Sequence, residues 1–96
     1  MRDKSVPNVP HLAGLPKSTS DRFWESEAKR ILKAELARQG VTYKALVLRL
    51  EAIGVVDEER AIRNRISRGK FPLVFFLQCM RAIGVTEVDL RDRAAR

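Results

Sequence analysis

Apolar residues recur at helical spacing from Ser20 onward. Trp24, Ala28, Ile31, Leu32 and Leu36 keep to one side of a 3.6-residue period, with charged residues between them, until Gly40 interrupts the run. A second run opens at Thr42, a residue suited to capping a helix start, and continues through Leu46, Val47, Leu50 and Ile53 to Gly54. Asp57 is the candidate cap of a third helix, with Glu58 and Glu59 placed to favour its N-terminal dipole and Gly69 to end it. Pro72 stands where a fourth helix should begin, because the first turn needs no amide hydrogen from it. That helix runs through Leu73, Phe76, Leu77, Met80 and Ile83 to Gly84, and "TEVDLRDR" from Thr86 reads as a last short helical turn. No segment alternates with the period of two that a half-buried strand requires. The pattern predicts an all-α fold, a compact bundle of about five helices.

The segments "QGVT", "IGVV" and "IGVT" echo one another at Gly40, Gly54 and Gly84. Helix-ending chemistry accounts for the echo without an internal duplication. Glycine takes the left-handed cap conformation and the following valine folds back onto the preceding turn. Ahead of the helical pattern, residues 1–19 carry three prolines and little apolar content. They read as a flexible basic N-terminal arm, which leaves residues 20–96 as the helical domain.

Composition narrows the partners more than the fold. A chain of 96 residues that is 45% hydrophobic suits one small domain. A net charge of +7 favours anionic partners: nucleic acid, or an acidic protein or lipid surface. No apolar run approaches a membrane span, and the first twenty residues lack the apolar centre of a signal peptide. Cys79 is the single cysteine, so no internal disulfide can form and a reducing cytoplasm is the expected location. His11, the single histidine, sits among Pro7, Pro10, Gly14 and Pro16, and no metal cluster or Ser-His-Asp arrangement can be drawn. Neither enzymatic activity nor a cofactor, metal or small-molecule ligand is expected.

The stretch "IRNRISRGKF", residues 62–71, holds four cations and no acid. On a helical wheel advancing 100° per residue, Ile62 lies about 40° from Ile66, so these two mark a buried stripe. The opposite face collects Arg60, Ala61, Asn64, Ser67 and Arg68, with Arg63 and Arg65 on its flanks. Small and amide side chains bordered by arginines let a helix approach a groove closely. Asn64 can bond an adenine edge, arginine can bridge guanine N7 and O6, and flanking cations can take phosphates. A solvated face is the ordinary fate of charged helix residues, and over residues 57–70 three acids reduce the net charge to +2. Charge alone does not separate the two readings.

The order of elements adds weight. The run from Leu32 to Leu90 resembles the lambda-repressor-like helix-turn-helix domains of the Cro/C1 type. The resemblance rests on "LKAELARQGVT", on "TYKALVLRL", on "ISRGK" at residues 66–70, on "LVFFLQCMRAIGV" at residues 73–85 and on "TEVDL". It covers about sixty residues. Each motif alone is generic; five in the right order are more specific. Within that superfamily the chain looks most like a group of uncharacterised bacterial proteins with segments similar to "GVTY", "IRNRISRGKF" and "FFLQC". Two features depart from the superfamily pattern. "EAIGVVDE" follows Leu50, which is expected to lengthen the second helix by about one turn, and Ile62 and Ile66 are four residues apart where three is usual. The resemblance implies that helix 58–69 enters the major groove of double-stranded DNA. Base contacts then fall to Arg60, Arg63, Asn64 and Ser67, and phosphate contacts to Thr42, Tyr43, Lys44, Arg68 and Lys70.

Three apolar residues fall where the superfamily is usually polar: Leu48, Val74 and Phe75. They are candidates for a homodimer interface of the kind used to read two half-sites, while Trp24 and Cys79 are expected in the core. The sequence thus points to a cytoplasmic, nucleoid-associated transcriptional regulator of bacterial or phage type. The competing expectation is a protein-interaction adaptor of the same fold that works through the apolar face of helix 73–83. RNA binding ranks third, because the aromatic platforms that stack single-stranded bases are missing.

Overall fold

A computed structural model of the chain describes residues 17–91. Within them the fold is all-helical: α1 (Lys17–Gln39), α2 (Tyr43–Ala52), α3 (Glu59–Arg68) and α4 (Leu73–Ala82). Four helices replace the expected five among the described residues. From Val85 to Arg91 the chain is irregular; "TEVDLR" is too short to hold a helix by itself. Arg30 donates to the carbonyl of Arg91 at 3.3 Å and to Glu27 Oε1 at 2.6 Å, which ties this segment down. Residues 1–16 of the expected arm lie outside the described residues; Lys17, Ser18 and Thr19, assigned to that arm, begin α1 instead. No helix among the described residues is long and apolar enough to cross a membrane.

Helix ends follow the glycine chemistry. At the end of α1 the amide of Gly40 bonds the carbonyl of Ala37 at 3.0 Å and that of Val41 reaches back to Leu36 at 2.9 Å. This paired closure repeats at Gly54–Val55 and at Gly84–Val85. The three echoes are therefore caps. Thr42 starts α2 with its Oγ1 accepting from the Ala45 amide at 3.1 Å, a bond worth about 1 kcal/mol.

Two expectations about the connection into α3 are corrected. The residues after Leu50 extend α2 only to Ala52; the rest form a turn at Ile53–Gly54 and an irregular link through Glu58. Asp57 does not cap α3. Glu58 occupies the cap position without a side-chain bond, while the Asp57 carboxylate accepts from the Glu58 amide at 2.8 Å and from Arg65 at 3.0 Å. The two carboxylate oxygens are thus shared between the Glu58 amide and the Arg65 guanidinium, both charge-assisted bonds, and neither is left for the first turn of α3.

The core sits where α3 packs against α1 and α2, and α2 against α4. Leu32, Leu46, Leu50, Ile62, Ile66 and Cys79 are fully buried, joined by Leu36, Val41, Phe75, Met80 and Ile83. Burial pushes the Cys79 thiol up to about 12, against a smaller opposing pull from Arg65, so it is a neutral core group. The inward face of α4 is Phe75, Cys79, Met80 and Ile83, whereas Leu73 and Leu77, counted on its apolar pattern, are 68% and 57% exposed. Phe75, a candidate interface residue, is in the core beside Phe71 at a centroid distance of 5.8 Å. Trp24, expected in the core, is half exposed and meets Phe23 edge-on at 4.8 Å.

Gly69 closes α3 at φ +70°, and a Cβ built there would lie 2.1 Å from the backbone oxygen of Glu25. The end of α3 thus touches the backbone of α1 with nothing between them. Gly40, at φ +67°, has open space around it. Gly40→Ala should cost only the left-handed penalty, about 1–2 kcal/mol. Gly69→Ala must also part the two helices and should cost about 3–4 kcal/mol. Urea unfolding of both variants checks this; equal losses would mean that the close approach does not exist.

Candidate nucleic-acid interface

Ile62 and Ile66 are both fully buried, which turns the opposite side of α3 to solvent. Arg60, Arg63, Asn64, Ser67 and Arg68 are all exposed. Their positions step by three, four, seven and eight residues from Arg60, so they form one stripe. Ser67 donates to the carbonyl of Asn64 at 3.2 Å, leaving the Asn64 side chain without a bond to any described residue. All four expected base-contacting residues therefore share one accessible face.

The arginines on this helix are not equivalent. Arg60 and Arg68 make no ion pair with any described residue. Arg63 bonds Glu59 one turn earlier, and its guanidinium lies 5.4 Å from the centroid of the Tyr43 ring. An exposed pair at this spacing contributes about 0.3–0.5 kcal/mol, little enough for a phosphate or base edge to displace it. Arg65 is held more firmly: it bonds Asp57 at 3.0 Å and its guanidinium stands 4.8 Å over the Phe75 ring. It links the α2–α3 connection, α3 and α4, and its role is structural.

The expected phosphate residues divide in the same way. Asn64, Arg68 and Lys70 line one open groove of about 470 Å³ together with Ala61, Arg65, Phe71 and Pro72. Tyr43 is brought under Arg63 and so borders the stripe. Lys44 is exposed, while the Thr42 hydroxyl is engaged in capping α2; neither lines that groove. Lys70 stands 3.7 Å from Glu25 Oε2. Of the apolar candidates, Leu48 and Val74 are each 63% exposed, and Phe75 is lost to the core.

Sequence reasoning missed a second basic surface. Arg22, Glu25, Ser26 and Lys29 of α1 form a pocket with Arg68 of α3. Their one-turn spacing on α1 was visible in the chain. That this turn lies against the end of α3 was not, because tertiary contacts, the Gly69–Glu25 backbone approach and the Lys70–Glu25 ion pair among them, bring it there.

The geometry defines a small all-helical protein with one short basic helix displayed on a buried apolar seam. Residues 24–88 match the family described as a domain of unknown function (DUF6471), and the chain belongs to that family. No curated protein and no solved structure matches it.

The division among the arginines is measurable as stability. Arg65→Ala should cost about 1–2 kcal/mol, by losing the Asp57 bond, the ring contact and the packing of its stem. Arg63→Ala should cost about 0.5 kcal/mol or less. Chemical denaturation of the two variants decides, and the reverse order would make Arg63 the structural member.

Proposed function

We propose that the chain is a sequence-specific double-stranded DNA-binding protein, a transcriptional regulator with a helix-turn-helix formed by α2 and α3. One observation carries the reading: Arg60, Arg63, Asn64, Ser67 and Arg68 share the solvent face of a helix whose other face is fully buried at Ile62 and Ile66. An α-helix fits the major groove of B-form DNA, where an amide can bond adenine and a guanidinium can bridge guanine. Arg60, Arg63, Asn64 and Ser67 take base edges. Arg68 and Lys70 take phosphates from the groove they line, and Tyr43 and Lys44 meet the backbone from the start of α2. Thr42 contributes by capping that helix start. The resemblance of the helix order to the lambda-repressor-like domains, and the net charge of +7, support the same reading. Such a regulator works in the bacterial cytoplasm, on the nucleoid.

A second reading, a protein-interaction adaptor or the homodimer face of the regulator, rests on α4. Leu73, Val74 and Leu77 lie 68%, 63% and 57% exposed on one side of that helix. A run of large apolar groups on one helix face is a recurrent mark of an interface.

Binding of labelled duplex DNA across a salt series tests the first reading. The affinity should fall steeply with salt, corresponding to about five or more released counterions, and Arg63→Glu with Arg68→Glu should abolish it. Val74→Glu with Leu77→Glu separates the two readings. A DNA-reading α3 keeps its affinity for a single half-site in this variant, whereas an adaptor loses its partner. Absence of binding at low salt, or equal binding by the arginine double variant, would remove α3 as the reading helix.

A further inference from the structure

The N-terminal half of α1 brings a separate set of cations to the end of α3. Arg22, Ser26 and Lys29 surround an open pocket of about 160 Å³ with Glu25 and with Arg68 from α3. None of its three cations makes an ion pair with a described residue. Glu25, its single carboxylate, stands three residues from Arg22 and four from Lys29, spacings at which helix ion pairs ordinarily form. Its Oε2 instead lies 3.7 Å from Lys70 Nζ, outside this set. Lys29 is half-buried, its stem packed along α1. A backbone contact underlies the arrangement, beside the Lys70–Glu25 ion pair. Gly69 against the Glu25 carbonyl holds the last turn of α3 on this turn of α1, and Arg68 arrives beside Arg22 and Lys29 as a consequence.

Two guanidinium groups and an ammonium around one opening offer more N–H donors than its one carboxylate can accept, and with the Ser26 hydroxyl they match the oxygens of a phosphate. Arg68 lines both this pocket and the groove beside Asn64, so the two surfaces are continuous. We propose that the pocket seats a backbone phosphodiester of duplex DNA, so that α1 carries the contact beyond the groove read by α3. The proposal rests on the reading of α3 given above. Because none of the base-reading residues Arg60, Arg63, Asn64 and Ser67 lines the pocket, the contact is sequence-independent: it adds affinity and sets the position of α3, and does not choose the bases.

The test uses the full chain, a fluorescein-labelled duplex and anisotropy at several salt concentrations. Arg22→Ala with Lys29→Ala should lower the slope of log affinity against log salt by about two units, and weaken binding about tenfold or more on specific and random duplexes alike. Arg49→Ala with Arg81→Ala removes the same charge from residues outside the pocket and should leave the slope nearly unchanged. In a Lys70→Ala background, where release of Lys70 cannot supply the gain, Glu25→Gln removes the pocket's one carboxylate and should tighten binding severalfold, which misfolding cannot mimic. Unchanged far-ultraviolet helicity in the variants keeps the comparison clean. If the wild-type chain binds and the Arg22/Lys29 variant matches it, or the Arg49/Arg81 control loses as much, the pocket is not a phosphate seat while α3 keeps its role. If the wild-type chain binds single-stranded RNA and not the duplex, or binds no nucleic acid, the reading of α3 and this proposal fall together.

Discussion

Ile62 and Ile66 take one side of α3 entirely out of water, and the backbone contact of Gly69 with Glu25 fixes where the helix ends. A ten-residue helix is marginal in water on its own. Its helicity is lent by the core, where each isoleucine contributes about 1.5–3 kcal/mol of apolar burial. The outward stripe exists because the inward one is satisfied. A rotation of one residue about the helix axis would expose an isoleucine and drive a guanidinium toward Leu46 and Leu50. That penalty gives Arg60, Asn64 and Arg68 a common direction, which no interaction of their own would supply.

The same logic explains how much of the fold was legible. Three of the four glycines that end a helical run are followed by valine, and at all three the valine amide closes back on the preceding turn; Gly69 is followed by Lys70. These are local rules, visible in four residues. Helix α4 was harder. Leu73, Val74, Phe75, Phe76 and Leu77 are five consecutive apolar residues, and such a run has no phase to read. Its inward face was settled by volume: Phe75 fills the space against Phe71 and under Arg65, which leaves Leu73 and Leu77 outside. Trp24 erred in the opposite direction. It has helical spacing with Ala28 and Ile31, but among the described residues it is only half covered, so spacing alone did not bury it.

The candidate site was legible as a stripe and illegible as a set of roles. The wheel placed five residues on one face because the isoleucine spacing fixed the other. It could not rank the arginines, since rank depends on partners distant in sequence. Glu59 beside Arg63 is a local pair and could be anticipated. Asp57 with Arg65, Phe75 with Arg65 and the α1 turn beside Arg68 are tertiary contacts, and each changes what its arginine is free to do.

Arg65 also bears on the unusual connection between α2 and α3. A longer link costs little in closure entropy, because that cost grows only with the logarithm of its length. The danger of a long link is directional, since it no longer dictates the angle at which α3 leaves α2. Arg65 restores that constraint from the far side: its guanidinium reaches back to Asp57 at the end of the link and lies across Phe75 of α4. One cation of the basic helix is thereby engaged within the fold, at Asp57 and over Phe75, so that the others keep a defined orientation. A stretch that reads as a uniform run of arginines contains one residue that aims the helix, one held loosely in reserve at Glu59, and two at its ends that form no ion pair with a described residue.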